Sequence, residues 1–340
     1  MEYIGIDIGT SSICGIAYNP SDKSCKTIVK ENNANLVSNC QWERIQDPER
    51  IYRIVEQMIG DLRILCTDIK GIGFSGQMHG ILYVDANGVA ASPLYTWQDG
   101  RGNLPYKDGE TYAGYMTKVT GWPMATGYGL ATHYYNLQNG IVPEEAVKLC
   151  TIMDYVSMRL CKQTVPSIEP SNAAGLGLFD KQQLRFKSSL FDRLCIDESI
   201  LPTVVGSKTV VGHYDDIPVC VSIGDNQAAF LGSVKDIDRS IHITIGTSSQ
   251  ISVYSDKYIE IDELDTRPFP GGGYLLVGAP LCGGISFVML KDFFGKTLKL
   301  LAGTEADDEY LFQRMTSMAY QADSVENIKV ETLFCGTRSN

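Results

Sequence analysis

The sequence is poor in the groups that announce a metal centre: it has only four His, and its ten Cys lie scattered at 14, 25, 40, 66, 150, 161, 195, 220, 282 and 335, with no Cys-x-x-Cys pair. Such spacing suits neither a zinc site nor a small disulfide scaffold, which leaves reduced core thiols as the plain reading. Basic residues are short as well, since 29 Lys+Arg against 40 Asp+Glu leave a formal charge of −11. An acidic chain without a local basic patch repels phosphate backbones and anionic lipid, so neither nucleic acid nor a membrane surface is expected as a partner. No run of about 18 apolar residues occurs. The start, Met1-Glu2-Tyr3-Ile4, carries an acid where a signal peptide needs a cationic region. A soluble, cytoplasmic protein is expected. With 340 residues, 44% of them hydrophobic, the chain is long enough for two domains with their own cores.

What is present is periodic. Ile4, Ile6 and Ile8 alternate with Gly5, Asp7 and Gly9, and residues 13–18 continue in the same manner, so two strands joined by Gly9-Thr10-Ser11-Ser12 are expected. Asp47-Pro48 supplies the cap and first turn of a helix whose apolar face is Ile51, Ile54, Val55, Met58, Ile59 and Leu62. Residues 69–74 and 80–84 read as strands, residues 105–218 are more helical, and residues 219–223 form a buried strand ending at Gly224-Asp225-Asn226-Gln227. Residues 241–245 alternate again, and a second domain is expected to begin near Lys235. The tetrapeptide Gly-Thr-Ser-Ser occurs at 9–12 and at 246–249, each time after a strand of alternating Ile, which points to a duplicated core.

These segments carry a consistent chemistry. A turn of Gly, Thr and Ser exposes backbone N–H groups and hydroxyls, which hold phosphate oxygens without a basic side chain. Two such turns could clasp a polyphosphate. Neither the P-loop pattern nor the dinucleotide-binding glycine fingerprint is present. Asp7, two residues before Gly9, could orient Mg²⁺ or its waters. Asp225, between an apolar strand and a helix, is either an N-cap or a base that takes a proton from an attacking hydroxyl. Ser75-Gly76-Gln77-Met78-His79-Gly80 and Trp97-Gln98-Asp99-Gly100-Arg101 combine amide, thioether, imidazole, indole, carboxylate and guanidinium groups suited to a neutral polyol. The alternatives are a structural imidazole at His79 and a structural ion pair between Arg101 and Asp99.

In their order and wide spacing, Ile4-Gly5-Ile6-Asp7-Ile8-Gly9-Thr10-Ser11-Ser12, the clusters at 75–80 and 97–101, Gly224-Asp225-Asn226-Gln227-Ala228 and Ile245-Gly246-Thr247-Ser248-Ser249 resemble the FGGY carbohydrate kinases. That family lies within the actin-like ATPase and hexokinase superfamily. The stretches 224–233 and 169–174 look most like its sedoheptulose kinases, with the xylulose kinases as close competitors. The resemblance implies an α/β protein of two ribonuclease-H-like domains around a cleft, with residues 1–234 as the N-terminal sugar-binding domain and residues 235–340 as the start of a C-terminal nucleotide-binding domain. It further implies ATP-dependent phosphorylation of a ketose, sedoheptulose first and a pentulose second, with a non-catalytic sugar-binding relic as the other outcome. Asp225 would be the catalytic base and Asp7 the residue that organises Mg²⁺ through water. Gly9, Thr10, Ser11, Gly246 and Thr247 would hold the nucleotide phosphates, and Gln77, Met78, His79, Trp97, Asp99 and Asn226 the sugar. Family members are generally longer, so the second domain is expected to be truncated before its adenine-binding glycines and to bind nucleotide poorly. The helices near 285–294 and 305–320 would then expose apolar surface or recover it by self-association as a homodimer.

Overall fold

The computed structural model describes residues 1–246, 249–262, 264–279 and 282–322. Their contacts gather into two units, one of Met1–Gly232 with Arg267–Gly273, the other of Ser233–Thr266 with the described residues from Tyr274 onward.

The first unit is built on a seven-stranded sheet. Strands β1 (Glu2–Ile8), β2 (Ser12–Asn19) and β3 (Ser24–Glu31) form an antiparallel meander, and β4 (Ile69–Gly76) runs parallel to β1 on its other side. Beyond β4 come β6 (Ile217–Cys220) and then its antiparallel neighbour β5 (Val210–Tyr214), while the short β7 (Ile223–Gly224) also pairs parallel to β4. The alternation that marks β1 places Ile4, Ile6 and Ile8 in the core.

Helix α1 (Pro48–Ile64) covers this sheet. Asp47 caps it, accepting from the backbone N–H of Glu49 (2.9 Å) and Arg50 (3.2 Å), and Pro48 fills the first turn, where a missing N–H costs nothing. Its buried stripe is Ile51, Val55, Met58, Ile59 and Leu62, with Ile54 only partly covered. Helix and sheet approach so closely that a Cβ on Gly15 of β2 would stand 2.5 Å from the Met58 sulfur, so any larger residue there would force Met58 and Leu62 to shift.

A second core lies among α2 (Tyr112–Thr120), α3 (Gly129–Gln138), α5 (Pro170–Leu176) and α6 (Ser188–Leu194), around Tyr83, Leu130, Phe179 and Phe191. Helix α4 (Ile152–Leu160) belongs instead to the first core, and α7 (Asp225–Ser233) follows β7 directly.

Strands β8 (Ile241–Ile245), β9 (Ser249–Ser255), β10 (Asp265–Pro268) and β11 (Tyr274–Gly278) form a sheet in the order β8-β9-β11-β10, all of it in the second unit but Arg267 and Pro268 at the end of β10. Helices α8 (Gly284–Ala302) and α9 (Asp308–Gln321) follow, the first longer than the 285–294 that the sequence pattern indicates and the second starting three residues later than the expected 305. Ile241, Ile243 and Ile245 alternate like the isoleucines of β1 yet stay exposed on the edge strand β8, as do Phe293, Leu300 and Leu301 of α8. Among the described residues no helix is long and apolar enough to cross a membrane.

Candidate active site

Three parallel strands of the first unit end at one edge. The register aligns Asp7 with Ser75 and Ile8 with Gly76 between β1 and β4, and Ile223 with Ser75 and Gly224 with Gly76 between β7 and β4. At about 4.8 Å per strand, the outer two lie about 10 Å apart. The segments leaving this edge are Gly9-Thr10-Ser11, Gln77-Met78-His79 and Asp225-Asn226. The packing tolerates no side chain at Gly76, where a Cβ would sit 2.5 Å from the Ile8 carbonyl oxygen. Carboxyl ends of parallel strands are where ligands settle in α/β sheets, because the chain departs there into loops of free composition.

The Gly9–Ser12 turn closes with Gly9 N–H donating to the Ser12 carbonyl at 3.0 Å. Its outward-facing carbonyls are pinned: Asn32 Nδ2 donates to Gly9 O (2.8 Å), Gln46 Nε2 to Thr10 O (2.9 Å) and Asn32 N–H to Ser11 O (3.0 Å). The Thr10 hydroxyl donates to Gln77 Oε1 (3.2 Å) and accepts from Trp97 Nε1 (3.0 Å), and Gln77 Nε2 donates on to Gln46 Oε1 (3.0 Å). Gln77 is therefore buried and committed to holding the turn, and the indole of Trp97 is fixed beside it while its ring stays exposed. An open cavity of about 760 Å³ lies next to Thr10 and Ser11, walled also by Asn35, Arg44, Thr96 and Gln98. Asn32 and Gln46 belong to no motif that the sequence reading singled out; their roles come from contacts between distant segments.

His79 takes a positive φ of 74°, unusual for a residue with a side chain, and its ring stacks on Tyr128 at 5.1 Å. Its Nδ1 lies 2.7 Å from the Gly175 carbonyl oxygen, which can only accept, so Nδ1 carries the proton. Met78 is buried beneath, packed so tightly on Gly224 that a Cβ there would stand 2.6 Å from its sulfur.

Asp99 sits apart from these residues. Its carboxylate is buried, with Oδ1 accepting from Arg101 N–H (3.1 Å) and Nε (2.7 Å), and Oδ2 from Arg44 N–H (3.0 Å) and Arg101 Nη2 (3.1 Å). Arg101 is equally buried, lies 4.1 Å over the Tyr95 ring, and also reaches Glu43 and Asn136. Both oxygens of Asp99 are thus engaged, by Arg101 and by the Arg44 N–H. The pair joins the 41–44 segment to the loop carrying Trp97.

Asp225 is exposed at the first position of α7, with Oδ1 accepting from Asn226 N–H at 2.6 Å. Asn226 is buried; its Oδ1 faces Arg267 Nη1 at 3.4 Å, and its Nδ2 has no partner among the described residues. A buried donor left unmade is costly.

Asp7 accepts from the Ser75 hydroxyl on Oδ1 at 2.6 Å, while Oδ2 points toward Gly9. One partly engaged carboxylate beside the Gly9–Ser12 turn fits a hydrated Mg²⁺, which keeps several waters and needs few protein ligands. Among the described residues no group of three His, Cys, Asp or Glu side chains could cage a metal alone. In the second unit, Gly246 O accepts from Gly284 N–H (2.7 Å) at the start of α8; Thr247 lies outside the described residues.

Residues 2–232 match the FGGY family of carbohydrate kinases, N-terminal domain, and the chain belongs to that family. It is 26% identical to mouse sedoheptulokinase over 94% of this chain and 74% of that protein. It is 28% identical to the xylulose kinase of Lactococcus lactis over 88% of this chain and 63% of that protein, so it spans less than two thirds of the latter's length. The crystal structure of xylulose kinase from Rhodospirillum rubrum superposes with a TM-score of 0.81 at 18% identity, covering all of this chain and 71% of that one. The fold is therefore the α/β, actin-like ATPase fold of these kinases.

Proposed function

We propose that this protein transfers the γ-phosphoryl group of ATP to a hydroxyl of a ketose. The observation that carries the reading is the strand register that ends β1, β4 and β7 together, with a Gly-Thr-Ser turn and an exposed carboxylate on the same edge. In this reading the first unit holds the sugar.

The sugar rests against the Trp97 ring, with Met78 beneath and the His79 imidazole locked by Gly175. Asn226 Nδ2 donates to a sugar oxygen. Asp225 takes the proton of the attacking hydroxyl, and the backbone N–H groups of Thr10 and Ser11 donate to the phosphate oxygens, so the chain's task is alignment and charge neutralisation. Asp7 would hold Mg²⁺ through water, and a divalent ion there supplies neutralisation of phosphate charge. Gln77 supports the turn rather than the sugar.

Sedoheptulose is the leading substrate, supported by similarity to the mouse kinase along nearly the whole chain; xylulose is the second reading, supported by the Lactococcus enzyme. A coupled ADP-release assay with each ketose tests this. Ketose-dependent ADP output is expected, and Asp225→Asn is expected to lower kcat by about 10²–10⁴-fold while leaving sugar binding within about twofold by calorimetry. Sugar binding without turnover would instead favour a non-catalytic binder.

A further inference from the structure

We propose that Glu169 is a positioning residue that sets both the entry of the chain into Asp225 and the orientation of the His79 ring, acting through helix α5. The Asp225 half of this proposal rests on the kinase reading; the His79 half does not.

Glu169 is 1% exposed and caps α5, a place where shorter side chains are usual. Its extra reach has a use. Oε2 accepts from Ser171 N–H (2.7 Å) and from the Ser171 hydroxyl, and Oε1 accepts from the Ser207 hydroxyl (2.7 Å). An ionised carboxylate only accepts, so both serine hydroxyls must donate to it and keep their lone pairs for other donors. Those donors are Gly224 N–H, 3.1 Å from Ser171 Oγ, and Gly271 N–H, 3.1 Å from Ser207 Oγ.

Gly224 is the residue before Asp225. Gly271 belongs to the returning 267–273 segment, in which Arg267 faces Asn226 Oδ1 and the Pro268 carbonyl accepts from Gln227 Nε2 at 3.2 Å. One buried carboxylate thus fixes the polarity of two hydroxyls that hold the start of α7 from two sides. Helix α5 carries the same constraint to its far end, where the Gly175 carbonyl accepts from His79 Nδ1. A Cβ on Gly175 would stand 3.2 Å from that ring nitrogen, so helix and imidazole are in contact.

Glu169→Gln keeps the size of the side chain but turns one acceptor into a donor, forcing a serine hydroxyl to reverse and leaving Gly224 or Gly271 N–H poorly matched. Ser171→Ala, which removes the hydroxyl joining Glu169 to Gly224 and leaves the Ser207 arm in place, is the second variant should the first fold poorly. In the full chain, ketose kcat is expected to fall by about 10- to 100-fold in both, with ketose KM within about twofold. With four His in the sequence, the imidazole resonances are few enough to assign by a His79→Asn control, and in Glu169→Gln the His79 resonance is expected to move while the other three hold. A kcat within about threefold of wild type, or a loss of kcat that merely tracks a lowered thermal midpoint, overturns the Asp225 half. An unmoved His79 resonance overturns the other. If the wild-type chain turns over no ketose, the kinase reading fails, and the imidazole measurement still decides whether Glu169 orients His79.

Discussion

At the scale of single residues, the environment decides what a motif side chain does. Asp99 and Trp97 stand two apart in one cluster, yet Trp97 remains exposed beside the turn while Asp99 disappears into an ion pair with Arg101. The sequence supplies the charges but not their burial, which depends on Tyr95, Trp42 and Tyr135 closing over the guanidinium from other segments. Asn32 and Gln46 are illegible for the same reason: each is a common polar residue whose partner in the turn lies 23 or 36 positions away. Breaking a buried pair by removing one partner leaves an uncompensated charge and costs about 3–5 kcal/mol. Arg101→Met is expected to lower unfolding free energy by that amount, read from the urea midpoint at unchanged slope. It should also disturb tryptophan fluorescence, since the pair anchors the loop that carries Trp97.

At the scale of elements, legibility follows length and local chemistry. Helix α1 was readable because seventeen residues repeat an apolar stripe behind an Asp-Pro start, and the β1–β2 hairpin because its isoleucines alternate. The two-residue strands Ile45–Gln46 and Leu94–Tyr95, which pair to frame the site, carry no periodicity at all and exist only through their partners. Strand β8 shows the converse. Its Ile pattern reads like that of β1, but the pattern cannot report that the face stays exposed. The cap of α1 gives a direct test of local chemistry: Asp47→Ala removes the acceptor for two N–H groups and is expected to cost about 1 kcal/mol in urea unfolding.

At the scale of the molecule, two buried ionisable groups shape the dependence of stability on pH. Burial pushes the Asp154 carboxyl from 3.8 up to about 8, against the opposing hydrogen bonds from Thr151, and pushes the His133 imidazole from 6.5 down to about 4. The raised acid binds more protons folded than unfolded, so its contribution is complete below pH 3.8 and is lost as pH climbs toward 8. The depressed imidazole works the other way and loses stability as pH falls from 6.5 toward 4. Asp154→Asn removes the first slope and can keep the Thr151 contact through its amide oxygen. Stability of the variant minus wild type is expected to grow steadily from about pH 4 to about pH 8 and then level off, as measured by denaturant titration at several pH values.

The tether of the Gly9–Ser12 turn, running from Trp97 through Thr10 and Gln77 to Gln46, contains only hydroxyl, indole and amide groups. No ion in it is there to be shielded by electrolyte or discharged by acid. Sensitivity of catalysis to ionic strength would therefore originate in the charged groups around the turn and in the nucleotide with its counter-ion, with the scaffold of the turn a bystander.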